Sequence, residues 1–474
     1  MRYAMYKPLS QKAVEQIHAG SLELLADVGI EVASEAAKNI FRRNGAKING
    51  NNRVTIPPKM VEDAVRHAPS EFSLYGRREQ NHIHYRPGCF YASTGGSAMY
   101  VLDLKGSRRP ATCRDLHDII ALVDELPFID LISLPVYTGD LPKELVDVNR
   151  FFAGLKNSTK HIIGAVYTLD GLTKVAQMAE IVAGENWKEK PVISIVLCPV
   201  ISPLRLDRVA TDIMVEATRQ GIITFNFSMS QVGCTAPMTI AGTLVTLNAE
   251  ILAVTTLMQL IRPGSPTLYC SVPGITDMKS GRFITGGIEY ALLNAAATQM
   301  AQFYKMPNWA TAGRSDAKVP DAQAGYEHAL TVPYVVLAGA NHVSCGTGFL
   351  DFVLTVSFEQ YVIDNEIIGM VKRIHNGITV DEDTMAVEVI KNVGPGGNFF
   401  GEKHTLRYLT EELFQPTLSD RQEWKNWQEA GGKDARRRAR DLAEKYIGRH
   451  EATGLTPDQQ RDITNAIEGI VSNP

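Results

Sequence analysis

The chain has 474 residues, 45% hydrophobic and 21% charged, with a formal net charge of −4. That length buries a large core and leaves segments over for an accessory layer, and the balance gives no electrostatic basis for binding nucleic acid or an anionic membrane. The cysteines, Cys89, Cys113, Cys198, Cys234, Cys270 and Cys345, form no CxxC pair, which argues against a disulfide framework or structural zinc site and reads as reduced thiols in a cytoplasmic protein.

The first ten residues lack the basic-then-apolar pattern of a signal peptide, and no run of about 20 apolar residues is free of charges or turn formers, so neither secretion nor membrane insertion is expected. Residues 1–88 are expected to form an accessory cap. Helical spacing runs over 11–28 and 34–43, a β-hairpin over 46–56 turns at Asn49-Gly50-Asn51, and Pro57-Pro58 open a third helix over 59–67.

From Cys89 the pattern changes to short β-branched or aromatic runs, each followed by a longer segment with helical spacing. Strands are predicted over 90–95, 129–135, 161–168, 192–198, 223–229, 267–273, 308–313 and 342–346. The helices that follow them are predicted over 114–126, 144–156, 172–183, 206–220, 240–261, 288–304, 322–339 and 357–374, with an inserted hairpin over 98–112. Eight such pairs across 89–376 fit an α/β fold of the closed (β/α)8 TIM-barrel type. An open doubly wound sheet lacks support, because neither GxGxxG between a strand and a helix nor GxxxxGK[ST] occurs.

Residues 377–474 are expected as a mostly helical extension: a helix over 381–393, a glycine-rich loop over 394–401 and a charged helical stretch over 418–470. The five basic residues in 433–440 suit either a solvated helix face or the docking of an acidic partner. Apolar helices on the barrel exterior, such as 240–261, point to a homo-oligomer.

Reacting groups in such a barrel come from the C-terminal strand ends and the loops after them. Those positions hold Tyr91, Ser93, Thr94, Tyr137, Tyr167, Cys198, Asn226, Phe227, Gln231, Cys270, Arg314, Asp316, Lys318, Cys345, Phe349 and Asp351. Aromatics and neutral polar groups dominate. No cluster of His with Asp or Glu offers the three ligands of a catalytic zinc, and His82-Ile83-His84 precedes the first strand, so no metal is expected. Neither HExxH nor GxSxG occurs.

Aromatics facing a pocket hold a quaternary ammonium by cation–π attraction worth about 0.5–2 kcal/mol each; the same residues also serve as core packing. Arg314 is placed either to clamp a substrate carboxylate through a bidentate pair or to pair with Asp316 or Glu327. Asp321 reads as a helix N-cap, and Gln323 and Glu327, four residues apart, share a helix face.

The segments DAKVPDAQAGYE (316–327) and VGPGGNFFGEKHT (393–405), with Trp424, Trp427 and Gly431-Gly432, resemble the trimethylamine methyltransferase family over essentially the whole chain. The founding trimethylamine enzymes carry pyrrolysine inside the barrel, whereas this chain has only standard residues, with the corresponding place expected near 312–318. The resemblance therefore implies the branch similar to glycine betaine:corrinoid methyltransferases. It implies methyl transfer from a quaternary amine to the cob(I)amide of a separate corrinoid protein, with no cofactor held tightly by the barrel. Glycine betaine, demethylated to dimethylglycine, is the first expectation; proline betaine, carnitine and related betaines are alternatives.

On this reading Tyr91, Tyr137, Tyr167, Phe227 and Phe349 form a cation cage, Arg314 anchors a carboxylate with help from Asn226 or Gln231, and Asp316, Gln323 and Glu327 are orienting groups. Two readings of another class stay open: a barrel lyase forming a Schiff base through Lys318, and a non-catalytic betaine-binding protein.

Overall fold

The computed structural model describes residues 5–344, 346–472 and 474. Short runs of Ile, Val, Leu and aromatic residues lie buried on both faces and form eight parallel strands: β1 (Tyr91–Ala92), β2 (Ile132–Ser133), β3 (Ile162–Gly164), β4 (Ile193–Leu197), β5 (Thr224–Asn226), β6 (Tyr269–Cys270), β7 (Asn308–Thr311) and β8 (His342–Ser344). One arc runs β2 to β5, through Ile162 opposite Ile132 and Ile193, and Ile195 opposite Thr224. The other runs β6, β7, β8, β1, through Tyr269 opposite Asn308 and His342 opposite both Trp309 and Tyr91. Parallel bridges Ser93–Leu131 and Ser228–Ser271 join the arcs into a ring. This is the predicted barrel; every predicted strand contains one of the eight, and Cys345 lies outside the described residues.

The helices outside the ring are α1 (Cys113–Asp124), α2 (Lys143–Asn157), α3 (Leu169–Ala183), α4 (Arg208–Gln220), α5 (Ile240–Ile261), α6 (Ile288–Phe303), α7 (Ala322–Leu337) and α8 (Phe358–Asn376). The hairpin inserted before α1 is Tyr100–Leu102 with Arg108–Pro110. It joins Phe349–Leu350 and Thr355–Ser357 in a small sheet. A second small sheet, Gln231–Val232, Gly274–Thr276 and Phe283–Ile284, is built from the loops after β5 and β6.

Helix α5 is long and apolar enough to cross a membrane, but protein encloses it. The helices Gln11–Glu23, Glu35–Arg43 and Pro58–His67 pack over it, and Asn248 on α5 donates to Ser21 Oγ at 2.9 Å. Its apolar exterior is thus covered within the chain and gives no ground for an oligomer, contrary to the expectation from sequence. The basic run 433–440 is only in part the solvated face expected, with Lys433 and Arg437 exposed. Arg436 and Arg440 turn inward to the buried Glu359 carboxylate at 3.5 and 3.1 Å, tying helix Ala435–Arg449 to α8.

One end of the barrel is sealed. The hairpin Phe72–Leu74 with Ile83–Tyr85 inserts Phe72, Leu74, Ile83 and Tyr85 beneath Leu131, Ile163, Phe225, Cys270 and Trp309. Trp309 is 1% exposed, lies 5.3 Å from the Phe225 ring and stacks on His342 at 4.0 Å. Replacing Trp309 with Ala is expected to cost about 3–5 kcal/mol of stability, read as a lowered urea midpoint with the far-ultraviolet circular dichroism of the native protein retained.

Candidate active site

Above the floor the interior becomes polar yet uncharged. His342 makes contacts of 2.6 Å from Nδ1 to the Tyr85 hydroxyl and 2.8 Å from Nε2 to Ser93 Oγ, and His161 Nε2 lies 3.0 Å from Ser194 Oγ. Burial drives His161 down to about 4 and His342 down to about 3, so both rings are neutral near pH 7.

Higher still, Val196 and Phe227 are only partly buried, and Phe227 stands edge-on to Trp309 at 5.0 Å. At the end of β4, Cys198 touches solvent, yet the protein around it pushes its thiol up to about 11 against the opposing pull of the Arg314 guanidinium. A group that touches solvent while protein surrounds it closely sits in a recess of the surface rather than on a protruding part of it. The recess sits at the C-terminal mouth, where a barrel of this kind carries its chemistry.

Three carboxyl groups, buried Glu250 and Glu327 and half-buried Asp316, hold the loops around this mouth. Glu250 interrupts apolar α5 and accepts from Ser202 Oγ (2.8 Å), Leu204 N (2.9 Å), Ser228 Oγ (2.5 Å) and Ser230 Oγ (2.8 Å), so one side chain binds the loops after β4 and β5. Glu327 on α7 accepts from Ser315 Oγ (2.5 Å), Asp316 N (2.9 Å) and Gln323 Nε2 (2.9 Å). The last bond shows the shared face predicted for Gln323 and Glu327. Asp316 accepts from Thr285 N and Gly286 N, both at 3.1 Å, and burial raises its pKa, with the Glu327 charge adding to the effect. Gly286 allows this approach, since a Cβ there would lie 2.4 Å from the Glu327 carboxyl carbon.

These contacts fix the loop that carries Arg314, which is 5% exposed and has its guanidinium carbon 5.9 Å from the Tyr290 ring centre. Gly313 starts the loop at φ +68°, and a Cβ there would meet Gly346 at 2.8 Å. Only glycine meets both demands.

On the opposite side, Tyr137 and Tyr167 stand edge-to-face at 6.0 Å. Buried Arg150 donates to the Tyr167 hydroxyl (3.2 Å), Ser97 Oγ (3.1 Å) and the Leu134 carbonyl (2.8 Å). Asp147 accepts from Tyr167 N at 2.8 Å, its other oxygen is buried with no hydrogen-bond partner, and burial pushes its pKa up to about 6.

The structure thus brings Tyr137, Tyr167, Phe227 and Arg314 to the mouth, with Asp316, Gln323 and Glu327 behind Arg314. Tyr91 instead lies at the sealed end, bonded through its hydroxyl to the His84 backbone (3.2 Å to N) and edge-on to Tyr85 at 5.7 Å. Asn226 faces outward, donating to Thr224 Oγ1 (3.0 Å) and Met258 Sδ (3.1 Å). Phe349 is fully buried in the core. Gln231 lies in the small sheet, with its strand paired to Gly274. His84 is near the sealed end, bonded to Ser73 Oγ at 2.9 Å. Lys318 is at the rim, its ammonium 3.8 Å from the Phe352 ring centre and 3.5 Å from Asp351.

Glu250, Arg150, Asp147, Tyr290, His161 and His342 escaped the reading from sequence. A lone carboxylate in the apolar run 240–261 was a legible signal for the first. The others are ordinary residues in ordinary patterns.

Residues 1–469 match the family described as Trimethylamine methyltransferase (MTTB). Trimethylamine methyltransferase MttB of Desulfitobacterium hafniense (strain DSM 10664 / DCB-2) is 36% identical over 438 residues, 92% of this chain and 88% of that one. Glycine betaine methyltransferase of Desulfitobacterium hafniense (strain Y51) is 34% identical over 425 residues, 89% and 88% of the two chains. Among solved structures, the Methanosarcina barkeri monomethylamine methyltransferase (MtmB) superposes with a TM-score of 0.54 at 12% identity, over 96% of this chain and 90% of that one, which shows a common fold.

Asp147 makes stability pH-dependent. Its folded pKa is raised from 3.8 to about 6, so the folded state holds the proton more tightly than the unfolded chain does. The resulting stabilisation is complete below about pH 4 and is lost as pH rises through 6. Asp147→Asn is therefore expected to gain stability relative to wild type between pH 5 and pH 8, by about 1–3 kcal/mol. Thermal melts at the two pH values measure this, and an unchanged difference between the proteins would remove Asp147 as the cause.

Proposed function

The chain belongs to the trimethylamine methyltransferase family and is a methyltransferase, and from that premise we propose that it moves a methyl group from a quaternary amine, glycine betaine before others, to the cob(I)amide of a separate corrinoid protein. Dimethylglycine is then the released product. The observation that carries this reading is the C-terminal mouth itself, where the buried Arg314 guanidinium lies across the barrel from the Tyr137–Tyr167 pair.

Among the described residues the recess offers no activated nucleophile. The Cys198 thiol is pushed up to about 11, and a thiol in that range is protonated and unreactive near pH 7. This fits a nucleophile brought from outside: the corrinoid, carried by its own protein, supplies the reduced cobalt that accepts a methyl group. What falls to the chain is binding, aiming one methyl toward the mouth and excluding water.

Tyr137, Tyr167 and Phe227 are assigned the ammonium, each aromatic face contributing about 0.5–2 kcal/mol when desolvated. Arg314 is assigned the carboxylate at the other end of a betaine, a charge-assisted and bidentate contact. Asp316, Gln323 and Glu327 act through Arg314 as positioning residues, since their hydrogen bonds fix its loop. Gln231 is assigned to the rim, and Tyr91, Asn226 and Phe349 leave the cage. Holding a methyl in line with its acceptor contributes on the order of 7–11 kcal/mol in well-aligned cases.

The charge on a quaternary nitrogen makes its leaving group a neutral tertiary amine, so no proton has to be delivered. Trimethylamine, by contrast, must be protonated or otherwise activated before it loses a methyl. The neutral His161 and His342 do not serve as acids of that kind near pH 7. Relatives named for trimethylamine and for glycine betaine are about equally similar to the chain, so the site chemistry carries the choice of substrate. Proline betaine and carnitine present the same two charges. The lyase reading loses its lysine to the rim, where Lys318 lies on Phe352.

Free cob(I)alamin, mixed anaerobically with the protein and each of glycine betaine, proline betaine, carnitine, choline and trimethylamine, tests the proposal by its visible spectrum. Conversion to the methylcobalamin spectrum with a betaine is expected. Binding of a betaine without conversion, even with a cognate corrinoid protein, would make the protein a binding module. Arg314→Ala is expected to raise KM for the betaine about 10- to 100-fold and to leave KM for choline nearly unchanged. Equal effects on both would remove the anchor.

A further inference from the structure

Tyr137 and Tyr167 are held at the mouth by different means. Backbone holds Tyr137: its N–H donates to the Ala98 carbonyl at 2.9 Å, and a parallel bridge between Ala98 and Val136 carries the pairing of the two chain segments out to it. Tyr167 lies beyond the end of β3, just before Thr168, the N-cap of α3. It is 40% exposed, so packing alone does not fix its ring.

Two side chains of α2 hold Tyr167 instead. Asp147 accepts from its backbone N–H at 2.8 Å, and Arg150 donates to its hydroxyl at 3.2 Å, so the backbone and the tip of one residue are fastened to one helix. The backbone side is tight, since a Cβ at Gly171 would lie 2.4 Å from Asp147 Oδ2.

Arg150 is 1% exposed and donates also to Ser97 Oγ at 3.1 Å and to the Leu134 carbonyl at 2.8 Å. Ser97 stands at φ +68°, a conformation uncommon for a residue with a side chain, and such local strain persists where the surroundings over-determine it. One guanidinium therefore joins the chain beyond β1, β2 and β3. Of its three partners, Tyr167 alone is assigned to the ammonium group of the substrate.

We propose that Arg150 is a positioning residue that sets the specificity of the site, by fixing Tyr167 against Tyr137 and so fixing the shape the pair presents to an ammonium head. The two rings stand at 62° with their centres 6.0 Å apart. Cation–π attraction requires the ammonium to lie over a ring face, so the placing of Tyr167 decides which heads fit. Glycine betaine carries a trimethylammonium head and proline betaine a bulkier ring ammonium, whereas both carry the carboxylate assigned to Arg314. Without its hydroxyl bond the exposed Tyr167 ring is free to turn about its side-chain torsions and to accommodate either head, and discrimination falls. The inference rests on the reading of the mouth as a betaine site.

Isothermal titration calorimetry of glycine betaine, proline betaine and choline on the full chain tests this, with methyl transfer to free cob(I)alamin followed in parallel. Tyr167→Phe removes only a hydroxyl and keeps the ring. It is expected to lower the discrimination between glycine betaine and proline betaine about 5- to 10-fold. The ratio of glycine betaine to choline, which share the trimethylammonium head and differ at Arg314, is expected to stay the same. Arg150→Gln is expected to give the same shift, and the two changes together no more than either alone. Should Arg150→Gln fail to fold, Tyr167→Phe decides by itself, because it leaves the buried guanidinium and its two other contacts in place. Unchanged discrimination in Tyr167→Phe, an equal shift in the choline ratio, or additive effects in the double variant would each overturn the proposal. Binding ratios and methylcobalamin formation are separate readouts, so betaine binding without methylcobalamin would overturn methyl transfer alone.

Discussion

The stack of Trp309 on His342, 4.0 Å apart, is the contact from which the rest of the interior is organised. His342 reaches down to the Tyr85 hydroxyl of the sealing hairpin and across to Ser93 of β1, while Trp309 supports Phe225 and Phe227 on the far wall. A barrel of strands this short has few ladder hydrogen bonds to hold it. Its interior side chains therefore carry both the closure of the ring and the separation of a dry floor from an open mouth. The buried imidazole stays neutral, and the floor beneath the recess brings no positive charge to repel an ammonium ion.

The mouth follows a second rule, that its loops are held by carboxylates rather than by apolar packing. Glu250 gathers the loops after β4 and β5, and Asp316 with Glu327 ties the loop after β7 to residues 285–286 and to α7. Buried carboxylates are costly unless their oxygens are satisfied, and Glu250, Asp316 and Glu327 each accept two or more hydrogen bonds. Asp147 is the exception, with one oxygen unpartnered. The outcome is a rim in which hydrogen bonds from neighbouring carboxyl groups hold the loop that carries Arg314, the kind of support by which a side chain is oriented precisely.

Much of the barrel was legible in the order of residues, because a parallel strand buried on both faces reads as a short β-branched or aromatic run and its helix as a longer amphipathic one. Legibility failed where facing and covering mattered. Asn226 and Phe227 are consecutive, and a strand sends neighbours to opposite faces, so both were never able to enter the pocket. The hydrophobic phase of Phe225 and Phe227 decides between them. Phe349 sits after the last strand, as expected, but the inserted sheet folds over it and takes it into the core. The apolar surface of 240–261 was visible in sequence; that the N-terminal helices cover it, whereas no residue of 378–411 is buried, was not.

The sequence by itself determined the eight-fold β/α alternation, the N-cap at Asp321, the shared face of Gln323 and Glu327, and the family resemblance carried by 316–327 and 393–405. Each is set by local periodicity, local hydrogen bonding or a contiguous motif, and needs no knowledge of distant neighbours. Only the tertiary structure decided that Tyr91 belongs to the sealed end, that Tyr137 and Tyr167 meet, that Arg436 and Arg440 turn inward to Glu359, and that Arg314 lies beside Cys198. Those outcomes depend on which element lands next to which, and a side chain acquires its electrostatic surroundings only when the ring closes around it.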